Sequence, residues 1–180
     1  MPANVVVIGS LNMDLVTRAP RLPRGGETLI GHSFATVSGG KGANQAVAAA
    51  RLGAQVAMVG CVGSDDYGVQ LREALLAEQI DCQAVSVVED SSGVALIVVD
   101  DNSQNAIVIV AGANGAMTPA VIDRFDAVLQ AADVIICQLE IPDATVGHAL
   151  KRARALGKTV ILNPAPASRP LPADWFAAID

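Results

Sequence analysis

One glycine-rich stretch and two carboxylates are the residues of this sequence whose types and spacing could do chemistry. The stretch is Ser38-Gly39-Gly40-Lys41-Gly42-Ala43-Asn44-Gln45-Ala46-Val47-Ala48-Ala49-Ala50. Its glycines suit neither a strand interior nor a helix interior. The run Ala43 to Leu52 favours helix, and Gly53 stands where a C-terminal cap belongs. A glycine turn therefore delivers the chain into a helix. Glycines let a ligand approach the backbone, and the first helical N–H groups have no partner within the helix. Together they offer donors and a positive dipole end to an electron-rich ligand, and Lys41 adds a mobile cation. The competing reading is a tight turn with a solvated lysine. The stretch is not a Walker A loop, because Gly42 follows Lys41 where that motif needs Ser or Thr. Nor is it the dinucleotide fingerprint, which follows the first strand directly, whereas here roughly thirty residues intervene.

The carboxylates are Asp14 and Glu140. Asp14 follows the β-branched run Val5-Val6-Val7-Ile8, then Gly9-Ser10 and Asn12-Met13. Glu140 follows Val134-Ile135-Ile136-Cys137-Gln138-Leu139. Ligands of open α/β sheets bind beyond the carboxyl ends of strands, so both acids stand where a binding carboxylate would stand. The alternative for Asp14 is a turn residue bonding its own backbone. Asp65 and Asp66 read as an N-cap and a first-turn acid rather than as metal ligands. His32 reads as a surface residue, and no metal site is assigned.

The elements that must position these groups follow from periodicity. Continuous apolar runs at 5–8, 55–63, 84–88, 134–139 and 159–163 read as about five parallel core strands. Helices are expected at 43–52, 67–79, 119–131, 143–156 and, briefly, 172–180. Thr118 and Pro119 read as an N-cap and first helical residue, and Val69, Leu71, Leu75 and Leu76 as one apolar helix face. Pro20, Pro23, Gly25, Gly26 and Gly31 break the region from Leu15 to Ser38 into short exposed strands. Residues 93–99 and 105–110, joined by Asp100-Asp101-Asn102-Ser103, form a hairpin, which we pair with 15–37 as one accessory sheet.

The chain has 180 residues, 52% of them hydrophobic but only 3% aromatic. Such a core is built from Val, Ile, Leu and Ala, as in parallel sheets covered by helices. The net charge of −6 without a basic cluster argues against nucleic-acid or anionic-membrane partners. No apolar run reaches membrane-spanning length. Cys61, Cys82 and Cys137 read as buried reduced thiols of a cytoplasmic protein. Carboxylates and backbone N–H groups at one sheet edge are what a polyhydroxyl ligand needs. The residues alone thus point to a sugar- or polyol-binding α/β domain.

The chain also resembles the ribokinase family of carbohydrate kinases, the group named after the minor phosphofructokinase. The resemblance covers the whole chain. It rests on Gly9-Ser10-Leu11-Asn12-Met13-Asp14, Gly25-Gly26-Glu27-Thr28, the glycine stretch through Ala46, the run Gly60 to Gly68, Ala111-Gly112-Ala113-Asn114 and Leu162-Asn163-Pro164-Ala165-Pro166. Its Asn-Gln-Ala continuation is closer to the ribose-specific members than to adenosine kinase or fructokinase.

The resemblance implies a Rossmann-like parallel sheet flanked by helices with a small β-sheet lid, residues 15–37 and 94–110. It implies ATP-dependent phosphorylation of the 5-hydroxyl of D-ribose, with Mg2+ and K+. Asn12, Met13 and Asp14 match the first sugar-binding segment, Gly40, Lys41, Gly42, Ala43 and Asn44 the second, and Glu140 the acid that also holds the sugar. The lid implies a homodimer. The family's general-base aspartate, anion hole and nucleotide pocket are expected beyond residue 180, so residues 1–180 read as the N-terminal part, catalytically inactive alone. The alternatives are a kinase for a related sugar or nucleoside, and an inactive truncated sugar-binding or dimerisation module.

Overall fold

The computed structural model describes residues 2–167 and 170–180. Two sheets organise it. The first has five parallel strands: β1 (Asn4–Ile8), β4 (Gln55–Gly63), β5 (Val85–Val88), β8 (Val134–Cys137) and β9 (Thr159–Leu162), in the order β5-β4-β1-β8-β9. The second has β2 (Asn12–Ala19), β3 (Ser33–Gly39), β6 (Gly93–Asp100) and β7 (Asn105–Val110), in the order β3-β2-β6-β7. Chain order thus runs outward from β1 to β4 and β5, then returns across it to β8 and β9. The carboxyl ends of β1 and β8 therefore flank a topological switch point, where ligands of such sheets bind.

Helices cover both faces of the parallel sheet. On one face, α1 (Lys41–Arg51) and α2 (Asp66–Ala77) pack on Val5, Val7, Val56, Met58 and Val62. On the other, α3 (Pro119–Arg124), α4 (Asp126–Ala131) and α5 (Asp143–Ala155) pack on Val6, Ile8, Cys61, Ile135 and Val160. Each large aliphatic side chain so buried contributes about 1.5–3 kcal/mol. Trp175 closes the second core over Gly147, where an added Cβ would stand 2.8 Å from the indole Nε1. The three cysteines are buried and free. Among the described residues no helix is long and apolar enough to cross a membrane.

Several local expectations change, the turn alternative for Asp14 falls away, and the Asp65 cap holds. The 119–131 helix is two helices, broken at Phe125, and Thr118 makes no side-chain capping bond. Neither Gly nor Pro marks that break. The last segment holds only a 3-10 turn, Ala173–Trp175. Val69 and Leu76 are more than half exposed, while Leu71 and Leu75 are buried. Asp14 lies within β2, not in a turn. Asp65 does cap α2, accepting the Gly68 N–H at 2.8 Å, and it also takes the Ser92 N–H and hydroxyl at 2.8 and 2.6 Å.

The second sheet has little cover. Register sets Asp14 between Val37 and Ala95, and Ala95 beside Ile109. Alternation then puts Asp14, Val16, Val37 and Ile109 on one face and Leu15, Phe34, Leu96 and Val108 on the other. Every residue of β7 is exposed.

Candidate functional site

The chain leaves β1 through Gly9 and Ser10 and enters β2 at Asn12, directly above the switch point. It returns from β3 through Gly39 and Gly40 into α1. Gly40 has φ +94°, and a Cβ there would meet Asn12 N, Ser10 O and Leu11 Cα within 3.0 Å. Only glycine lets these two passages touch.

Glu140 arrives from the loop between β8 and α5. Its Oε2 accepts the Ser10 hydroxyl at 2.6 Å and the Lys41 N–H at 3.0 Å. Its Oε1 lies 3.8 Å from Lys41 Nζ, and its side chain is only 8% exposed. The remaining first-turn donors of α1 are also engaged. Gly42 N–H donates to Ser10 Oγ at 3.3 Å, Ala43 N–H to Ser10 O at 3.0 Å and Asn44 N–H to Gly40 O at 2.9 Å. This corrects the expectation of free helix donors. The N-cap is a glycine and the first turn has no acid, so the protein's own carboxylate, 99 residues away in sequence, sits at the positive end of the dipole.

The groups left facing open space are side chains. Asp14 is partly buried on β2. Burial, and then the nearby Glu140 charge, push its carboxyl above the ordinary range, while Lys41 pulls it partly back. Gly39 makes room for it, since a Cβ at Gly39 would stand 2.5 Å from Asp14 Oδ2. Asn12 is buried and lines a cavity of about 400 Å³ with Ile109, Asn114, Leu139, Glu140 and Pro142. A larger cleft of about 800 Å³ opens at the amino ends of β1 and β4, beside Glu78 and Gln79. Glu78 there is held by Arg51, whereas Asn12, Asn114 and Glu140 line the smaller cavity.

The structure thus brings together Asn12, Asp14, Lys41 and Glu140. Gly40, Gly42 and Ala43 form the tight passage beneath them, with Gly42 and Ala43 buried. The Met13 side chain points into the core with Leu11, and Asn44 is exposed on α1. Ser10, Asn114 and Gln138 were not singled out from sequence. Each is a polar residue flanked by small or apolar neighbours, and each is fully or almost fully buried. Gln138 Nε2 donates to Gln45 Oε1 at 2.6 Å, tying β8's exit to α1. Its Oε1, otherwise unpartnered, occupies the space a Gly9 Cβ would take, 1.9 Å from that position.

Over 169 residues the chain is 47% identical to the ribokinase of Bacillus subtilis, covering 93% of this chain and 57% of that protein. It is 42% identical over 178 residues to the deoxyribokinase of Salmonella typhi, covering 98% of this chain and 58% of that one. The chain therefore spans about half the length of the curated relatives it matches. The structure of Arabidopsis thaliana ribokinase complexed with ribose and ATP superposes with a TM-score of 0.90 at 34% identity, covering 100% of this chain and 59% of that one. A profile of the pfkB family of carbohydrate kinases matches residues 2–180. With its parallel sheet, its second four-stranded sheet and the polar cluster between them, the chain belongs to the pfkB family of carbohydrate kinases.

Proposed function

We propose that this chain is the sugar-binding part of a kinase that transfers a phosphoryl group from ATP to the 5-hydroxyl of D-ribose. The observation that carries this reading is the convergence of Asn12, Asp14, Lys41 and Glu140 at the switch point, beneath a second sheet. Asp14 accepts from sugar hydroxyls, and its partial burial strengthens that bond. Lys41 donates to a sugar oxygen, and Glu140 holds Lys41 and the start of α1 while presenting its second oxygen. Gly40, Gly42, Ala43 and Asn44 shape the floor, and Met13 anchors β2 from behind.

The second sheet, residues 15–37 and 94–110, acts as a lid that excludes water from the sugar. Its apolar faces support a homodimer formed through the lid, because patches of this kind mark contact surfaces. The buried free thiols fit the reducing cytoplasm. Among the described residues no group of three His, Cys, Asp or Glu is arranged to hold a metal ion. Mg2+ and K+ accompany ATP in this reading, and none of residues 1–180 is assigned to hold them. The base for the 5-hydroxyl is assigned to none of residues 1–180.

The similarity to a deoxyribokinase at 42% identity supports a second reading, in which the sugar lacks the 2-hydroxyl. Calorimetric titration of ribose, 2-deoxyribose, fructose and adenosine separates the two. Ribose binding tightest supports the first, and 2-deoxyribose binding equally or more tightly supports the second. Adenosine binding in preference to both sugars would overturn the proposal.

A further inference from the structure

Five of the six buried polar residues among those described lie where the two sheets join: Ser10, Asn12, Ser92, Asn114 and Gln138. Asn114 sits in the 3-10 turn Gly112–Ala116, just after β7. Its Oδ1 accepts the Leu11 N–H at 2.9 Å. Its Nδ2 donates to Leu11 O at 3.0 Å and to Asn12 Oδ1 at 2.8 Å. A peptide N–H only donates and a peptide carbonyl only accepts. Reversing the Asn114 amide would set donor against donor and acceptor against acceptor at Leu11, in a buried place. Leu11 therefore dictates the orientation of Asn114. Asn114 in turn dictates that of Asn12, whose atom facing Asn114 Nδ2 must be its oxygen.

The NH2 group of Asn12 is then the end left over. It donates to no protein acceptor among the described residues, and Asn12 lines the 400 Å³ cavity. We propose that Asn114 is a positioning residue that locks Asn12 as a hydrogen-bond donor toward the cavity. The ligand atom met by Asn12 is an oxygen acting as acceptor, whereas the atoms met by Asp14 are hydroxyls acting as donors. The ligand class rests on the sugar reading above, but the polarity of Asn12 does not. Gly93 completes the clamp. It pairs with Asn12 in register, and a Cβ there would stand 2.1 Å from Asn114 Nδ2 and 2.2 Å from Asn12 Oδ1.

The test is NMR of the side-chain amides in 15N-labelled protein without ligand. The Asn114 NH2 protons should exchange with water more slowly than those of Asn12, by about tenfold or more. Added ribose should shift the Asn12 amide protons and leave those of Asn114 in place. In Gly93→Ala the wedge should erase the difference in exchange rate. The proposal is overturned if the Asn12 protons are the protected pair, if ribose moves the Asn114 protons and not those of Asn12, or if folded G93A keeps the difference. An unresponsive ribose titration with the exchange pattern intact upholds the clamp and counts against the sugar reading alone.

Discussion

Replacing Gly39 by alanine should damage the pocket and spare the fold. Gly39 ends β3 opposite Asn12, and its backbone is in a region open to L-residues. Alanine there brings no backbone strain, and a less flexible unfolded chain even favours it by about 0.4–1 kcal/mol. The added Cβ, however, would stand 2.5 Å from Asp14 Oδ2, and ordinary contact begins at 3.4 Å, so the carboxylate must retreat by about 0.9 Å. The obstacle is the end of a side chain, which rotates more readily than backbone yields. Displacing a charged acceptor forfeits about 1.5–3 kcal/mol of hydrogen bonding, which is about 10- to 150-fold in affinity. Gly40→Ala is the contrast. Its φ of +94° and the backbone atoms within 3.0 Å leave no such escape, so stability itself falls. Gly53→Ala is the control, with φ +93° and nothing within 4 Å, and it costs only the left-handed strain of about 1–2 kcal/mol. Urea unfolding and ribose calorimetry on the three variants read both quantities. A G39A protein that binds ribose within about twofold of the parent, against the expected tenfold or more, would refute the reasoning. So would one as destabilised as G40A.

Asp14→Asn should melt higher than the parent at pH 7. A carboxyl raised above 3.8 by burial and by Glu140 burdens the fold where it is ionised, and that burden fades as pH falls through its folded value toward 3.8. The two melting curves should therefore converge at about pH 4 and below, and a lower melting point for D14N at pH 7 would show the carboxylate to be stabilising. On the far face, bonds from Arg152, then Gln130, hold the Asp126 carboxyl down at about 2. That contribution is complete above 3.8 and lost as pH falls toward about 2. Arg152→Ala should return the Asp126 titration toward 3.8, read by carbonyl 13C shifts, and an unmoved titration would discount the pair. Val108→Glu, on the outer face of the lid, should convert a dimer to a folded monomer in analytical ultracentrifugation, and a monomeric parent would remove the proposed interface.

The elements were legible where one local signal dominated. Val5–Ile8 and Val134–Cys137 are continuous β-branched or apolar runs, which bury on both faces of a parallel sheet. The hairpin showed in its alternation and in its Asp100–Ser103 turn. Phe125 gave no warning, because α3 ends and α4 starts at an ordinary residue, with neither Gly nor Pro to mark the break. Asp14 and Glu140 were found because strand ends are readable. What they do was not readable, because the partners lie far off in sequence: Glu140 reaches Ser10 across 130 residues and Asn114 reaches Leu11 across 103. The same distance explains the misjudged helix start, where local reasoning left free donors that Glu140 and Ser10 take. Asn114 did carry a signal. An asparagine amid Ala, Gly and Met must either be exposed or find buried partners, and only the folded chain shows that Leu11 and Asn12 are those partners.

The most direct test of the account is ribose calorimetry on the parent protein beside its Asp14→Ala variant, with the fold of each checked by circular dichroism. The account predicts saturable one-to-one ribose binding by the parent, weakened by about tenfold or more in D14A through loss of a charged hydrogen-bond acceptor. Equal ribose affinity in two equally folded proteins would contradict it.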